Sequence, residues 1–168
     1  PMSMKEGKFT LKIIYGALIV SQAIYMGVIY MQGFPYVWVN DEIMVKALSA
    51  MSVLSIIASF TFWKLSYSTP SRLPKIWSGS LPSTGGSAGE KPDSATIENI
   101  LFGRYFTFSI ITWALTETIV IWGLTLSFLQ QTSAYVTTGF TISVSLMILF
   151  RPNFDRFNQS LEVAKRNF

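Results

Sequence analysis

The sequence predicts an all-α fold: an integral membrane four-helix bundle with both termini on the cytoplasmic side and an amphipathic interfacial helix at the C-terminal end. Three observations predict it. Four stretches stay apolar for about the 20 residues that a helix needs to cross roughly 30 Å of hydrocarbon. Charge is sparse, at 13% of 168 residues with half of them hydrophobic and a mean hydropathy of +0.40, where an ordinary soluble domain carries about a quarter charged residues. Lys and Arg cluster in alternate connections, the asymmetry by which membrane proteins set their orientation. The runs are continuous rather than alternating, which favours helices over barrel strands.

Taken in order, residues 1–10 form a short basic N-terminus with Lys5 and Lys8. The opening PMSM reads as an added or truncated sequence, and the first span is expected to be retained rather than cleaved as a leader. That span covers 11–31. The outer connection, 32–42, has no Lys or Arg, and the second span follows at 43–65, with Lys46 one turn inside it. Residues 66–99 are rich in Pro, Ser and Gly and carry Arg72, Lys75 and Lys91, a composition expected to form a flexible cytoplasmic loop. Within it LPSTG, 81–85, matches a sortase motif. Two further spans follow where a sorting signal has one, so we read it as coincidence or an inserted linker. The third span, 100–129, the tight outer turn 130–132 and the fourth span, 133–150, complete the bundle. In the tail, 151–168, Phe154, Phe157, Leu161 and Phe168 recur at helical spacing opposite a charged face, the pattern of a helix lying on the membrane surface.

There is neither Cys nor His in the chain. That excludes a disulfide framework, a Cys/His metal centre and His-based acid–base or nucleophile relays. No glycine-rich phosphate loop, paired catalytic carboxylates or basic aromatic patch is present, so neither enzymatic activity nor nucleic-acid binding is expected. The expected surroundings are a lipid bilayer, that of a bacterial inner membrane, and further copies of the chain, with a membrane or cytoplasmic protein as a possible additional partner.

One residue departs from the apolar pattern. In ITWALTETIVIWGLTLSF, Glu117 lies midway between Arg104 and Gln130, near half-depth. A charge there is costly, by roughly 3 to more than 10 kcal/mol, so such residues face a bundle interior or a wet cavity. Other spans bring polar groups to the same level: Gln22 from the first, Ser55 from the second, Thr141 and Ser143 from the fourth, with Thr116 beside the acid itself. These six residues make the candidate ion site, for H⁺ or Na⁺ and no other cofactor. Ser49, Ser52, Ser55 and Ser59 form a small-residue stripe and Gly123 a flat spot, both suited to close helix packing.

The run ALTETIVIWGL, 114–124, resembles the ion-binding helix of the proteolipid c subunits of rotary ATPases. In that family an Ala-Leu-x-Glu run followed by a glycine carries the carboxylate that takes up and releases H⁺ or Na⁺. The resemblance implies that role for Glu117 and an oligomeric ring. It covers about a dozen residues, and this chain adds a first and a fourth span outside the matching hairpin. The alternative is a structural or assembly subunit in which Glu117 is a protonated packing donor. Small multidrug exporters also have four spans and one membrane Glu, but theirs is in the first span, where this chain has Gln22.

Overall fold

The computed structural model describes residues 4–39, 43–67 and 94–167. Among these the regular structure is entirely helical, in five helices: α1 Met4–Met31, α2 Ile43–Ser66, α3 Ser94–Gln130, α4 Ala134–Leu149 and α5 Phe154–Asn167. Helices α1 and α2, and Ile97–Gln130 of α3, are long and apolar enough to cross a membrane. Helix α4, at 16 residues, passes that test only together with α5, from which it is bent by 46°. Two boundaries differ from expectation. Helix α1 starts within the presumed N-terminal segment, and α3 begins inside the presumed loop. The rest of that loop, 68–93 with its LPSTG run, lies outside the described residues, as does Phe168.

The distribution of polarity argues for a lipid environment more directly than helix length does. On α2 the buried residues are Ser55, Ser59 and Ser66, while Leu54 is 65% and Ile57 58% exposed. In water this arrangement would be inverted, since large apolar side chains go inside and exposed apolar patches stay small. In hydrocarbon it is the stable one: aliphatic side chains meet acyl tails, and small hydroxyl residues face a neighbouring helix and let it approach closely. Three of its serines satisfy their own proton within the helix, Ser59 Oγ donating to Ser55 O at 2.7 Å, Ser66 Oγ to Trp63 O at 2.7 Å and Ser52 Oγ to Leu48 O at 3.0 Å. Helix α1 behaves likewise, exposing Ile13, Val20 and Ile24.

Helix α3 is the axle. Helices α1, α2, α4 and α5 all pack on it, whereas α1 and α2 hardly touch. From Gly103 on, its exposed residues form an outward stripe of Gly103, Thr107, Ala114, Ile121, Thr125 and Phe128, with Leu129 beside its end, and the rest of that stretch is buried or half-buried. A tight turn links it to α4, with Gln131 in the left-handed region at φ 51°. Gly123 and Gly139 then bring the two backbones together: a Cβ on Gly123 would lie 2.7 Å from Tyr135 O, and one on Gly139 3.0 Å from Ile119 O. Gly33, at φ 67°, ends α1 in a conformation that disfavours side chains.

The segment after Gly33 folds back over the α3–α4 turn. Thr132 Oγ1 lies 2.5 Å from Val37 O and 3.0 Å from Pro35 O, and it accepts from Val37 N at 3.2 Å and Ala134 N at 3.3 Å. Tyr135 Oη donates to Val39 O, and the Trp38 and Tyr135 rings meet edge to face at 5.3 Å. Thr132 is buried, so a Thr132→Val substitution strands these backbone groups. It is expected to cost about 1–3 kcal/mol, read as a lower melting temperature in detergent, with Thr132→Ser recovering most of the loss.

At the opposite end α5 is amphipathic, but its apolar side is turned to protein. Phe157, Leu161 and Ala164 are buried, with Phe157 against Tyr105 at 4.9 Å and Phe102 at 5.8 Å; Phe154 packs on Tyr105 at 6.1 Å. This corrects the expectation that Phe154, Phe157 and Leu161 rest on the bilayer surface. The reason is the early start of α3: its 37 residues span roughly 55 Å, and the excess beyond the hydrocarbon offers Ile97, Leu101, Phe102 and Tyr105 as a protein surface for α5. Lys165 reaches Glu98 at 3.0 Å across the same contact, a partly exposed pair contributing no more than about 1 kcal/mol. Arg104 Nη2 donates to Leu65 O at 2.8 Å, placing a cation on the last carbonyls of α2, where the helix dipole favours it.

Candidate functional site

Glu117 faces α1. Its Oε1 accepts from Ser21 Oγ at 2.5 Å and from Tyr25 Oη at 3.2 Å, in a half-buried setting. Ser21 and Tyr25 are four residues apart, so they stack on one face of α1 and present two hydroxyls to one carboxyl. Ser21 Oγ also lies 2.8 Å from Leu18 O. A hydroxyl has one proton, so Ser21 donates either to the carboxyl or to its own helix. Ala114 and Ile121, on the outward stripe of α3, lie one turn either side of Glu117, and both are exposed. The carboxyl therefore sits at the border between the α1 contact and the outer surface of the bundle.

Gln22 does not join it. It is 0% exposed, and among the described residues its amide Oε1 and Nε2 have no hydrogen-bond partner. The cause is rotation: consecutive helical residues are about 100° apart, so turning Ser21 toward Glu117 turns Gln22 away. An unsatisfied buried amide costs about 1–3 kcal/mol.

The remaining polar residues form a second layer on another side of α3. Thr116, fully buried, donates to Thr112 O at 2.8 Å and lies 3.4 Å from Ser59 Oγ of α2. Ser143 of α4 donates to Thr116 O at 2.8 Å. Thus Thr116, Ser59 and Ser143 knit α2, α3 and α4 together one residue away from Glu117 without bonding to it. Ser55 is buried in the same stripe and its carbonyl holds the Ser59 hydroxyl. Thr141 is exposed and donates back to Thr137 O at 2.8 Å. Of the six candidate ion-site residues, only Glu117 has its hydrogen bonds in the α1 contact; the other five are corrected to roles in the second layer, at the surface or as a buried orphan. The N-terminal half of the serine stripe, Ser49 and Ser52, borders an open groove of about 360 Å³ between α2 and the α3–α4 hairpin, shared with Gly123, Gly139, Tyr135 and Trp38.

Sequence reasoning passed over Tyr25. A phenol inside an apolar span, one turn after a serine, is the signal that could have found it. Tyr15 is a similar case. Its hydroxyl donates to Met147 O at 2.8 Å and its ring meets Trp113 edge-on at 5.3 Å.

Among the described residues no group of three or more His, Cys, Asp or Glu side chains is placed to hold a metal ion. Comparison with models of known families, with curated proteins and with solved structures found no match.

Proposed function

We propose that this chain is a proteolipid-like membrane protein that binds and releases a proton at Glu117, as part of ion translocation or its coupling. The observation that carries the reading is the shared Ser21 hydroxyl. With Glu117 ionised, Ser21 and Tyr25 donate to the carboxylate, and the 2.5 Å separation lies in the range of charge-assisted O–H···O⁻ bonds. With Glu117 protonated, the carboxyl donates to Ser21 Oγ, which redirects its own proton to Leu18 O at 2.8 Å. Both states keep Ser21 and the carboxyl bonded, so exchange between them leaves no stranded donor. The same 2.5 Å separation has no room for a cation between the oxygens, which favours H⁺ over Na⁺. The outward stripe beside Glu117 supplies a side from which a proton carrier or a neighbouring copy can approach. Clustering of Lys and Arg supports cytoplasmic termini, and the likeness of 114–124 to rotary proteolipids supports self-association.

The test is infrared titration combined with proton flux in proteoliposomes. The wild type is expected to show a protonated carboxyl band, distinguished from those of the eight other Asp and Glu side chains by its absence in Glu117→Gln, and to dissipate an imposed pH gradient. Glu117→Gln removes the band and slows the flux at least about ten-fold, the loss typical of removing a group that transfers the proton. Ser21→Ala keeps the band and moves its frequency, because the carboxyl has lost a hydrogen-bond partner. Equal flux from wild type and Glu117→Gln overturns the reading. A second reading is supported by the same bonds, which tie α1 to α3: a structural subunit in which Glu117 is a fixed staple. It expects no flux from either protein, a carboxyl that does not titrate, and a loosened α1 in Glu117→Ala.

A further inference from the structure

A second polar site lies at the end of the bundle where α2 stops and α4 bends into α5. Arg151, Asn153 and Arg156, together with Trp63, Ile148 and Leu149, line an open cavity of about 500 Å³. The Arg156 guanidinium lies over two rings that stand nearly perpendicular to each other, 5.0 Å from the Trp63 centroid and 4.7 Å from that of Tyr67. A cation–π contact uses none of the five guanidinium N–H donors as hydrogen bonds to the rings, so they stay available to an anion. Among the described residues neither Arg151 nor Arg156 is ion-paired; the pair formed there is Lys165 with Glu98. The Asn153 Oδ1 is taken by the Arg156 backbone N–H at 2.9 Å, so the amide NH₂ is the part left to donate. Ile148 and Leu149, one turn before these donors, are 62% and 52% exposed.

We propose that this cavity binds the phosphate of an anionic phospholipid, whose acyl chains run along the exposed flank of α4 past Ile148 and Leu149. The site is amphiphilic in the same sense as the ligand. Two guanidiniums and an amide suit a phosphodiester, since the planar fork gives paired charge-assisted bonds. The apolar wall suits the tails, and a free anion would have no use for it. Trp63 and Tyr67 belong at headgroup level, where amphipathic rings concentrate, and a basic pocket there attracts anionic lipid. Nothing in this depends on Glu117.

The experiment is native mass spectrometry of the full chain released from nanodiscs of phosphatidylcholine mixed with phosphatidylglycerol. The wild type is expected to retain one phosphatidylglycerol with at least about ten-fold preference over phosphatidylcholine, the discrimination that paired charge-assisted bonds supply. Arg151→Gln combined with Arg156→Gln abolishes the preference. Lys5→Gln with Arg166→Gln removes the same charge from exposed positions elsewhere and leaves it intact. If the double arginine variant fails to fold, Arg151→Gln alone, which disturbs no ring contact, still weakens the preference several-fold. Unchanged retention in either arginine variant overturns the proposal. So does equal loss in the lysine–arginine control, which marks diffuse surface charge, or complete displacement by millimolar inorganic phosphate, which marks a site for free anions.

Discussion

Trp113→Ala lowers the stability of the bundle by about 3–5 kcal/mol, the loss expected when a large buried aromatic is truncated, in an unfolding titration in detergent or lipid. Trp113 is 1% exposed and is the largest fully buried side chain described. It lies where three helices converge. Its ring meets the Tyr15 ring of α1 at 5.3 Å in an edge-type contact, and its indole N–H donates to Phe150 O at the end of α4 at 3.0 Å. In hydrocarbon, burial from water is not what is lost; the missing dispersion contacts and the unpaired Phe150 carbonyl carry the effect. Trp113→Phe separates the two. It keeps most of the contact area and forfeits the hydrogen bond, so it should cost about 1 kcal/mol. An alanine variant as stable as the wild type would remove α3 from its place at the centre of the bundle.

The second large effect is at Gly123. In Gly123→Ala the new methyl would lie 2.7 Å from Tyr135 O and 3.2 Å from both Tyr135 C and Val136 Cα. All three are backbone atoms, so no side chain can swing aside and the hairpin itself must open. A loss of about 1–3 kcal/mol follows, with weaker protection of α4 amides in hydrogen exchange. Gly139→Ala, at 3.0 Å from one carbonyl, should cost less. Gly16→Ala and Gly27→Ala meet nothing within 4 Å and should be neutral or stabilising by up to about 1 kcal/mol, because alanine is the better helix former. The order of the four variants is the measurement. A marked loss at Gly16 or Gly27 would mean that another copy of the chain packs on the open face of α1.

The helices were legible because length and continuous apolarity decide a membrane span whatever surrounds it. The start of α3 was not. TIENILFGR contains two charges and a glycine, and it reads as a boundary until Phe157 and Leu161 are seen to cover Ile97, Leu101 and Phe102. Glu117 was conspicuous as the lone acid in its span, and its depth followed from its distance to the ends. Its partners did not follow, because depth is a property of one helix and direction is a property of two. Gln22 and Ser21 stand at nearly the same level, and only the rotation of α1 against α3 chooses between them. The serine stripe shows the same limit: spacing puts four serines on one face, but packing buries Ser55 and Ser59 and leaves Ser49 and Ser52 on a groove.

The scant contact between α1 and α2 has a consequence for biogenesis. As the chain emerges from the ribosome, these two rods enter the bilayer before α3 and have almost no shared surface on which to dock. They wait apart in the lipid until the segment beginning at Ser94 arrives and gathers both. Assembly order is thereby written into connectivity: a nascent chain stalled before that point holds two inserted but unassociated anchors, open to capture by membrane quality control.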